Sequence, residues 1–390
     1  MASTFKFGNG NWAVKDGSVL AYNDENNNFK PLPFDFTRDS IATRVNKDGL
    51  IEVVPNNMPR IDFTDNTSGH LLLEPSRTNS FPYSNFYGSG GLETFGTGTN
   101  SITVTNNYAT SPDGSQNAMR MVATCGSTSS DRAGLRDALS MSAASATLSF
   151  YAKSNTSSSQ TISVHFNGTN RQTITLTTEW QRFTYTATSV TTNNAGVEIR
   201  GGSTDTSVDV LLFGFQMEQA SYATSYIPTE GSTVTRVVEN TVNGGNSQTI
   251  GSSSGTVFID VKDVQIPSGT ANTDVMVIKN SSNINLGLYS LYVSPDGLIR
   301  LYYITGNTSV TLKSGDNRGQ RLKIAFAYAN SDFVTYVNGV KTFESSSISL
   351  QSGLDNVAVN ASPNEGFTIV NEVKLYNTRL TDTELEKLTS

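Results

Sequence analysis

The stretch FDFTRDSIATRVNKDGLIEVVPNNMPRIDFTDNTSGHLLLEPSRTNS, residues 34–80, organises the rest of the chain. Pro55, Pro59 and Pro75 each lack a backbone donor and push the preceding residue toward extended geometry, so a helix is excluded. The stretch therefore predicts three short extended segments, at residues 51–54, 60–63 and 71–74. Asp48-Gly49, between residues 43–46 and 50–54, adds a hairpin signal. We interpret the stretch as a structural collar.

The composition predicts an all-β protein of two or three domains. Of 390 residues, 36% are hydrophobic and 16% are charged, below the averages of about 45–50% and about 25% for globular proteins. Ser, Thr, Asn and 32 Gly make up the difference. Thr and Val favour strands while Gly and Asn favour turns, and the length exceeds that of one ordinary core.

Charge and cysteine content argue against several classes of partner. The net charge is −7 and the pI is about 5.0, with no basic cluster, so we expect no nucleic-acid partner. The single cysteine, Cys125, excludes an internal disulfide and a Cys-based zinc site, and we expect it in the core. No apolar run resembles a signal peptide or reaches the ~18 residues of a membrane span. We therefore expect synthesis in the cytoplasm and no membrane insertion.

The middle of the chain, residues 81–235, alternates apolar and polar residues in short runs separated by Ser, Thr, Asn and Gly. This pattern predicts strands at residues 101–105, 118–123, 146–152, 160–166, 172–177, 181–186, 196–200 and 208–218. Strands recurring at this spacing are typical of a β-sandwich or jelly roll. The alternation also predicts that His165 faces solvent, opposite Val164 and Phe166.

Residues 238–255 are rich in Gly, Ser and Asn and predict a flexible linker. A last unit, 256–390, begins with the strand VFIDVKDV and contains hairpins that turn at Asp296-Gly297 and Asn338-Gly339. Thr381 and Glu384 form a capping-box pattern that predicts a short terminal helix. At the other end, residues 1–37 are too few for a core of their own, so we expect them to dock on a partner chain or a neighbouring domain.

Residues 34–80 also resemble a segment of tail-fibre and head-fibre proteins of tailed bacteriophages. The matching blocks are ATRVN (42–46), DGLIE (48–52), PRIDF (59–63) and LLLEPSRTN (71–79), and the segment before them is similar to the leading segment of such proteins. The resemblance implies a virion structural or host-attachment protein, anchored to other virion proteins by residues 1–37, and no reaction. Such proteins are usually symmetric homo-oligomers, and we expect a trimer.

Two further resemblances concern the β modules. TEWQRFTYTAT (178–188) and LLFGFQMEQASYATSYIPTEG (211–231) are similar to carbohydrate-binding-like jelly rolls. RLKIAFAY (321–328), YVNGV (336–340) and NEVKLYNTRLTDTELEKL (371–388) resemble the laminin-G-like or concanavalin-A-like fold. The predicted organisation is an N-terminal attachment segment (1–37), a collar with a jelly-roll β-sandwich (38–237), the linker (238–255), and a concanavalin/laminin-G-like β-sandwich (256–390).

The sequence contains no recognisable catalytic constellation. A retaining glycosidase needs two carboxylates about 5–5.5 Å apart, but Asp260 and Asp263 fall on opposite faces of a regular strand, and an apolar strand separates Glu365 from Glu372. A Ser-His-Asp triad would have to use His70 or His165, and neither lies near a nucleophile motif.

We also predict no metal ligand and no cofactor. Calcium is the metal to consider, because its oxygen ligands abound in the polar loops. The acidic candidates do not follow the spacing of a calcium loop: Asp16, Asp24, Asp205, Asp209, Asp274 and Asp316.

Exposed aromatic rings are the usual platforms for sugars, and the candidates are Trp180, Tyr289, Tyr292 and Tyr303, with core packing as the alternative. Tyr302 and Tyr303 cannot both face inward. Together these observations favour a non-enzymatic phage virion protein that displays β-sandwiches toward host-surface polysaccharide. The alternatives are a bacterial or prophage-encoded carbohydrate-binding adhesin and a glycan depolymerase.

Overall fold

The computed structural model describes residues 3–23, 28–139, 141–167, 170–192, 194–265, 272–360 and 366–390. These residues are almost entirely strands and turns, which confirms the all-β prediction. Two residues named in the sequence analysis, Asp24 and Glu365, lie outside the described residues. Among the helices of the described residues, none is long and apolar enough to cross a membrane.

The described strands, numbered along the chain, fall into three stretches. The first contains β1 (Phe5–Gly8), β2 (Val14–Lys15), β3 (Ser18–Asn23), β4 (Asn28–Thr37), β5 (Ala42–Val45), β6 (Ile51–Val54), β7 (Ile61–Asp62) and β8 (His70–Leu73). The second contains β9 (Arg77–Asn79), β10 (Glu93–Thr97), β11 (Asn100–Ala109), β12 (Ala118–Cys125), β13 (Arg132–Asp137), β14 (Met141–Ser154), β15 (Gln160–Phe166), β16 (Asn170–Leu176), β17 (Gln181–Thr192), β18 (Ala195–Arg200), β19 (Ser207–Glu218) and β20 (Val234–Arg236).

The third stretch contains β21 (Asn240–Gly244), β22 (Gly255–Gln265), β23 (Thr273–Lys279), β24 (Leu288–Val293), β25 (Ile299–Tyr303), β26 (Thr308–Lys313), β27 (Leu322–Ala329), β28 (Asp332–Val337), β29 (Val340–Ser345), β30 (Asn356–Val359) and β31 (Phe367–Tyr376), followed by the helix α1 (Asp382–Thr389). The chain divides into two compact units. Unit 1 comprises Met1–Asp48, Val53–Ser76 and Val237–Ser390, and unit 2 comprises Gly49–Glu52 and Arg77–Arg236.

Unit 1 is a β-sandwich of two antiparallel sheets that are joined where β1 pairs with β3. The first sheet runs β29-β28-β27-β22-β31, and the far edge of β31 is covered by β1 and β8, with β7 beyond β8. The second runs β26-β25-β24-β23-β30-β21-β4-β3-β2. Along β25, Ile299, Leu301 and Tyr303 are buried while the residues between them are half-buried, as alternation requires.

The prediction of a separate attachment segment at 1–37 is wrong. β1 pairs with β31 in the order Phe5↔Leu375 to Gly8↔Glu372. Phe34, on β4, packs edge-on against Phe5 at 5.4 Å between ring centroids. Both rings are buried in the main core of unit 1. Since this segment supplies strands and core aromatics, it is an integral part of the sandwich.

The prediction of a flexible linker at 238–255 is also wrong. β21 lies within that stretch and connects β4 to β30, so it completes the second sheet. Ile250 is buried in the core, and Tyr328 donates a 2.6 Å hydrogen bond from its hydroxyl to the carbonyl of Gly251. Gly and Asn serve turn geometry here: Asn243 and Gly245 have φ of 61° and 76°.

The collar residues 53–76 belong to unit 1, contrary to the prediction that they form one body with the jelly roll. They are held by four fully buried charged side chains: Arg38, Arg60, Glu74 and Glu239. Glu239 accepts 2.8 Å bonds from Arg38 Nη1 and Arg60 Nε, and Arg60 Nη2 also contacts both carboxylates. Burial alone would lower the pKa of Arg60, but Glu239 and Glu74 outweigh it and raise the pKa above its usual value.

Within the described residues, unit 2 contains two five-stranded antiparallel sheets, which confirms the predicted β-sandwich. One sheet runs β10-β13-β18-β15-β16 and the other β11-β12-β19-β14-β17. All eight predicted strands are present, and the sequence analysis missed β10 and β13. The inward-facing residues of the two sheets, such as Leu135, Val164 and Phe215, form one core.

Two predictions about single side chains in unit 2 are wrong. His165 was expected in solvent, but it is 1% exposed because Phe95 and several arginine side chains cover that face of the sheet. Cys125 was expected within the core, but it is only half-buried, at the end of β12, and packs against the core from outside it. Burial still raises the pKa of the Cys125 thiol.

The local predictions for the C-terminal part are confirmed. Two hairpins form as expected, β24–β25 and β28–β29. In the second, Asn338 and Gly339 have φ of 49° and 77°, the positive values that a tight primed turn requires. α1 begins at the predicted capping box of Thr381 and Glu384.

Candidate functional site

A polar cleft of about 520 Å³ opens on the first sheet of unit 1. Strands β22, β27 and β31 form its floor, and the loop 64–69 between β7 and β8 forms one wall. At the floor lie four buried side chains: Phe258, Asp260, Glu372 and His70. The rest of the lining consists of half-buried or exposed side chains. The polar ones include Asn66, Lys262, Arg321, Lys323 and Asn371.

Asp260 organises the floor. Its two carboxylate oxygens accept from Arg321, at 3.0 Å from Nε and 2.7 Å from Nη2. Asn371 donates from Nδ2 to Asp260 Oδ1 at 3.2 Å, and Asn66 donates from Nδ2 to Asn371 Oδ1 at 3.2 Å. This chain of planar groups holds Asn66 and Asn371 in fixed orientations facing the cleft, which is how protein sites read the hydroxyl groups of a ligand.

Glu372 lies directly opposite Asp260 on the neighbouring strand. Directly opposed residues of an antiparallel pair have Cβ atoms about 4.5–5.5 Å apart, so two carboxylates stand side by side on the floor. Lys374 Nζ pairs with Glu372 Oε1 at 2.7 Å. The Lys374 ammonium also lies 5.5 Å from the centre of the Phe258 ring, which is itself buried. Each carboxylate therefore has its own cation.

His70 closes the floor beside the loop. Its Nε2 lies 3.4 Å from Asp62 Oδ1, and the same carboxylate accepts from the backbone of Thr64 at 2.8 Å and of Val45 at 2.7 Å. Burial lowers the pKa of His70 although Asp62 opposes that shift, so the imidazole is neutral at neutral pH. Neutral imidazole can both donate and accept a hydrogen bond.

The charges that line the cleft balance. Three basic side chains, Lys262, Arg321 and Lys323, face three acidic ones, Asp65, Asp260 and Glu372. A ligand with a strong net charge would meet repulsion from one set, whereas a neutral ligand with many hydroxyl groups can use both.

This cleft is not apparent from the sequence. Its key residues lie in segments far apart in sequence: Asn66 at the β7–β8 loop, Asp260 on β22 and Asn371 on β31. Only strand pairing brings them together, and Asp260 was compared with Asp263 on its own strand instead of with Glu372 across it. The available signal was the run of polar residues Asp65 to Ser68 after a predicted strand.

Three of the predicted aromatic platforms are wrong. Tyr289, Tyr292 and Tyr303 are 1%, 7% and 9% exposed. Tyr289 and Tyr303 lie opposite each other on β24 and β25 and belong to the core, and Tyr289 also packs against Phe326 and Tyr328. Burial raises the pKa of Tyr289. The side chains of all three tyrosines are buried, so none of the three rings is open to a sugar.

Trp180 lies in unit 2, just before β17, and is half-buried. Its indole Nε1 donates to the carbonyl of Thr110 at 3.2 Å. The Lys153 ammonium lies 5.6 Å from the ring centre, a distance typical of a cation–π contact. Lys153 therefore lies over one face of the Trp180 ring, and sugar binding by Trp180 remains a prediction that the structure does not test.

Three of the acidic residues considered for calcium bind other groups of the protein. Asp209 binds Arg120 through both oxygens, Asp316 binds Arg318, and Asp205 accepts from the backbone and hydroxyl of Thr161. In the described part of the chain, no group of three or more His, Cys, Asp or Glu side chains is arranged to hold a metal ion.

Comparison with known proteins gives likenesses of fold. The sequence matches no family model and no curated protein. Among solved structures, it is similar to the CBM40 of the Ruminococcus gnavus IT-sialidase bound to α2,3-sialyllactose, with 16% identity over 38% of this chain and 93% of that one and a TM-score of 0.31. Domain 4 of AbnA, a GH43 arabinanase of Geobacillus stearothermophilus solved with arabinotriose, has 18% identity over 44% and 83%, with a TM-score of 0.33.

A heptameric SAP-like pentraxin from Limulus polyphemus has 15% identity over 35% of this chain and 70% of that one, with a TM-score of 0.29. Two of these structures, the CBM40 and domain 4 of AbnA, contain a bound sugar. At these identities and TM-scores, nothing about what this chain binds follows from the likeness.

Proposed function

We propose that this chain is a non-enzymatic glycan-binding protein and that the cleft of unit 1 holds the sugar. The observation that carries the proposal is the hydrogen-bonded series Arg321–Asp260–Asn371–Asn66, which lines a cleft of about 520 Å³. A cleft of this size accommodates a small ligand or part of a chain, within the range of about 300–1,000 Å³ for binding pockets. Its balanced charges favour a neutral oligosaccharide.

A glycan array tests this proposal. The full chain is applied to immobilised neutral and acidic oligosaccharides. We expect binding to a neutral oligosaccharide that persists at high salt, because hydrogen bonds to neutral hydroxyls are only weakly screened. Absence of binding to every neutral glycan on the array would contradict the proposal.

We further propose that the protein is a virion component of a tailed phage, made in the bacterial cytoplasm and assembled as a homo-oligomer, with a trimer as the expected state. The support is the resemblance of residues 42–46, 48–52, 59–63 and 71–79 to fibre proteins. Several weak sugar sites on one particle act together through multivalency. Because residues 5–23 and 28–37 are strands and turns of unit 1, attachment to other virion proteins would use a folded surface of this sandwich.

Electron microscopy of phage particles labelled against the C-terminal residues tests the virion proposal, with mass spectrometry of purified particles as a second readout. Absence of the protein from particles would favour the bacterial adhesin instead. Light scattering during size-exclusion chromatography tests the oligomer, and a clean monomer would contradict it.

One observation favours a second candidate, a glycan depolymerase. Asp260 and Glu372 stand directly opposite each other on neighbouring strands, and retaining glycosidases act through two neighbouring carboxylates. The ion pairs argue against a depolymerase. Arg321 donates hydrogen bonds to both oxygens of Asp260, and Lys374 pairs with Glu372, so neither carboxylate is placed to donate a proton. Release of reducing ends from host polysaccharide that Glu372→Gln abolishes would establish the depolymerase, and no release would support binding alone.

A further inference from the structure

The outward face of one sheet of unit 2 carries a cluster of arginines. In the sheet β10-β13-β18-β15-β16, residues such as Ala133, Val197 and Ile199 point into the core. The alternate residues point outward and include four arginines: Arg132 and Arg136 on β13, Arg171 on β16 and Arg200 on β18. We call these four the arginine face.

Strand register places the four arginines close together. Arg132 lies directly opposite Arg200, and Arg136 lies opposite Gly196. Gly196 in turn lies opposite His165, which lies opposite Arg171. The cluster therefore spans four neighbouring strands, roughly 14 Å at about 4.8 Å per strand.

Two arginines directly opposite each other repel and destabilise a sheet. The pair Arg132 and Arg200 is therefore a cost to the fold that an anionic ligand would relieve. Arg200 Nη2 donates to the carbonyl of Ser129 at 2.8 Å, which fixes its position without neutralising it.

Too few carboxylates face the arginines to balance them. Glu93 pairs with Arg136 at 3.0 Å, and the fully buried Glu198 pairs with Arg171 at 2.7 Å and lies 3.6 Å from Arg200. Among the ion pairs of the described residues, none includes Arg132. Four arginines and two carboxylates leave an excess of two positive charges on this face, although the whole chain carries −7.

The arginine side chains are held in place by their neighbours. Phe95 packs edge-on against His165 at 5.3 Å, and the Arg136 guanidinium lies 5.1 Å from the centre of the Phe95 ring. Phe95 can lie over the sheet because Gly134 beneath it has no side chain: a Cβ there would come within 2.9 Å of the ring. Such supporting contacts preorganise charged groups for a ligand.

We propose that the arginine face binds an acidic glycan through its carboxylate or sulfate groups. Guanidinium groups pair with such planar or tetrahedral anions through two parallel hydrogen bonds. A length of roughly 14 Å corresponds to a few sugar rings. Nucleic acid is the less favoured ligand, because the chain carries a net charge of −7 and the Arg136 guanidinium already lies over the Phe95 ring on which a base would stack. This site lies in unit 2 and does not depend on the cleft of unit 1.

Binding of the full chain to polymers of known charge tests the proposal. The probes are hyaluronan for carboxylate, dextran sulfate for sulfate, neutral dextran, and a single-stranded DNA oligonucleotide. We expect binding to hyaluronan, dextran sulfate or both at an ionic strength of about 0.15 M, weakening as salt rises. We expect none to dextran.

The double variant Arg132→Gln/Arg136→Gln should weaken that binding by at least about tenfold, since each charge-assisted pair is worth about that factor. Both side chains are partly exposed and the Arg136–Glu93 pair lies at the surface, so the variant should fold. Lysine at both positions keeps the charge but loses the two parallel hydrogen bonds, so its binding should lie between that of wild type and that of the glutamine variant. Arg120→Gln, on the other sheet of unit 2, is the matched control and should leave it unchanged.

Three results would overturn the proposal. The first is no binding to either acidic polysaccharide. The second is an equal loss in the Arg120→Gln control, which would indicate a general charge effect. The third is tighter binding to the oligonucleotide than to both acidic polymers, which would indicate a nucleic-acid surface.

Discussion

Arg38 donates from Nη1 to the Glu239 carboxylate at 2.8 Å although the two residues are 201 positions apart, and neither side chain reaches solvent. Arg38 also donates to the carbonyls of Ser40, Met58 and Pro55. This pair ties the segment after β4 to the segment before β21. Unit 2 lies between these two segments in sequence. The pair therefore joins the part of unit 1 that precedes unit 2 to the part that follows it.

Replacing Glu239 should destabilise unit 1 strongly. Glu239→Gln leaves Arg38 and Arg60 buried with too little negative charge, and breaking a buried ion pair in this way costs about 3–5 kcal/mol. Urea unfolding of the full chain measures the loss in the free energy of unfolding of unit 1. The control is Glu344→Gln, whose side chain is 67% exposed and pairs with Lys341 at 3.1 Å, and which should change stability little. Similar midpoints for both variants would contradict the network's role.

Removing residues 1–37 should unfold unit 1, whereas a detachable attachment segment would leave it intact. The deletion removes β1 to β4 and the buried rings of Phe5, Phe7, Phe34 and Phe36. We expect the fragment 38–390 to lose protease resistance in the region 256–390. The fragment 77–236, which contains one core of its own, should fold alone and give a cooperative melt. A fragment 38–390 as resistant as the full chain would refute the integral role of these strands.

Lowering the pH should destabilise unit 2 through His165. Burial and the nearby Arg171 and Arg136 lower the pKa of His165 to about 3. Its unfolded value is about 6.5, so below about pH 6.5 the unfolded state binds a proton that the folded state does not. Stability then falls as pH falls, by about 2 kcal/mol between about pH 6.5 and about pH 5.

The variant His165→Gln isolates this effect. Asp137 acts in the opposite sense: burial raises its pKa to about 6, so folded unit 2 gains stability as that carboxyl protonates. Denaturant unfolding of the fragment 77–236 at about pH 7 and about pH 5 should therefore be compared between wild type and His165→Gln. If the difference in the free energy of unfolding between wild type and His165→Gln is the same at both pH values, His165 is not held neutral in the folded state.

Removing the amide of Asn371 should weaken glycan binding by the cleft. Asn371→Ala deletes a half-buried group that connects Asp260 with Asn66. Losing such a hydrogen bond costs about 1–1.5 kcal/mol, or up to about tenfold in affinity. Titration calorimetry with a neutral glycan identified on the array measures the change. Asn377→Ala, at an exposed position beyond β31, is the control and should bind like wild type.

Local structure was predictable wherever short-range chemistry decides it. The turn at Asn338-Gly339 and the capping box at Thr381 and Glu384 depend on neighbours within a few residues, and both form as expected. The boundaries between domains were not predictable, because they depend on pairing between strands that lie far apart in sequence. Residues 240–244 look like a linker by composition, yet they form a strand because β4 and β30 leave a gap that only β21 fills.

The candidate site was hidden from the sequence for the same physical reason. Alternation correctly marked Tyr289 and Tyr303 as having one preferred side, but it could not say whether that side was core or solvent. Likewise, the proximity of Asp260 to Glu372 follows from a pairing across 112 residues of sequence. The buried His165 shows the converse, since long side chains from neighbouring strands can cover a face that alternation assigns to water.

The most direct test of the cleft as the sugar site is a crystal structure of the full chain with the neutral oligosaccharide that binds most tightly on the array. We predict sugar density in the cleft of unit 1, with hydroxyl groups within hydrogen-bonding distance of Asn371 and Asn66. Density for that oligosaccharide on unit 2 alone, beside Trp180 or on the arginine face, would contradict it.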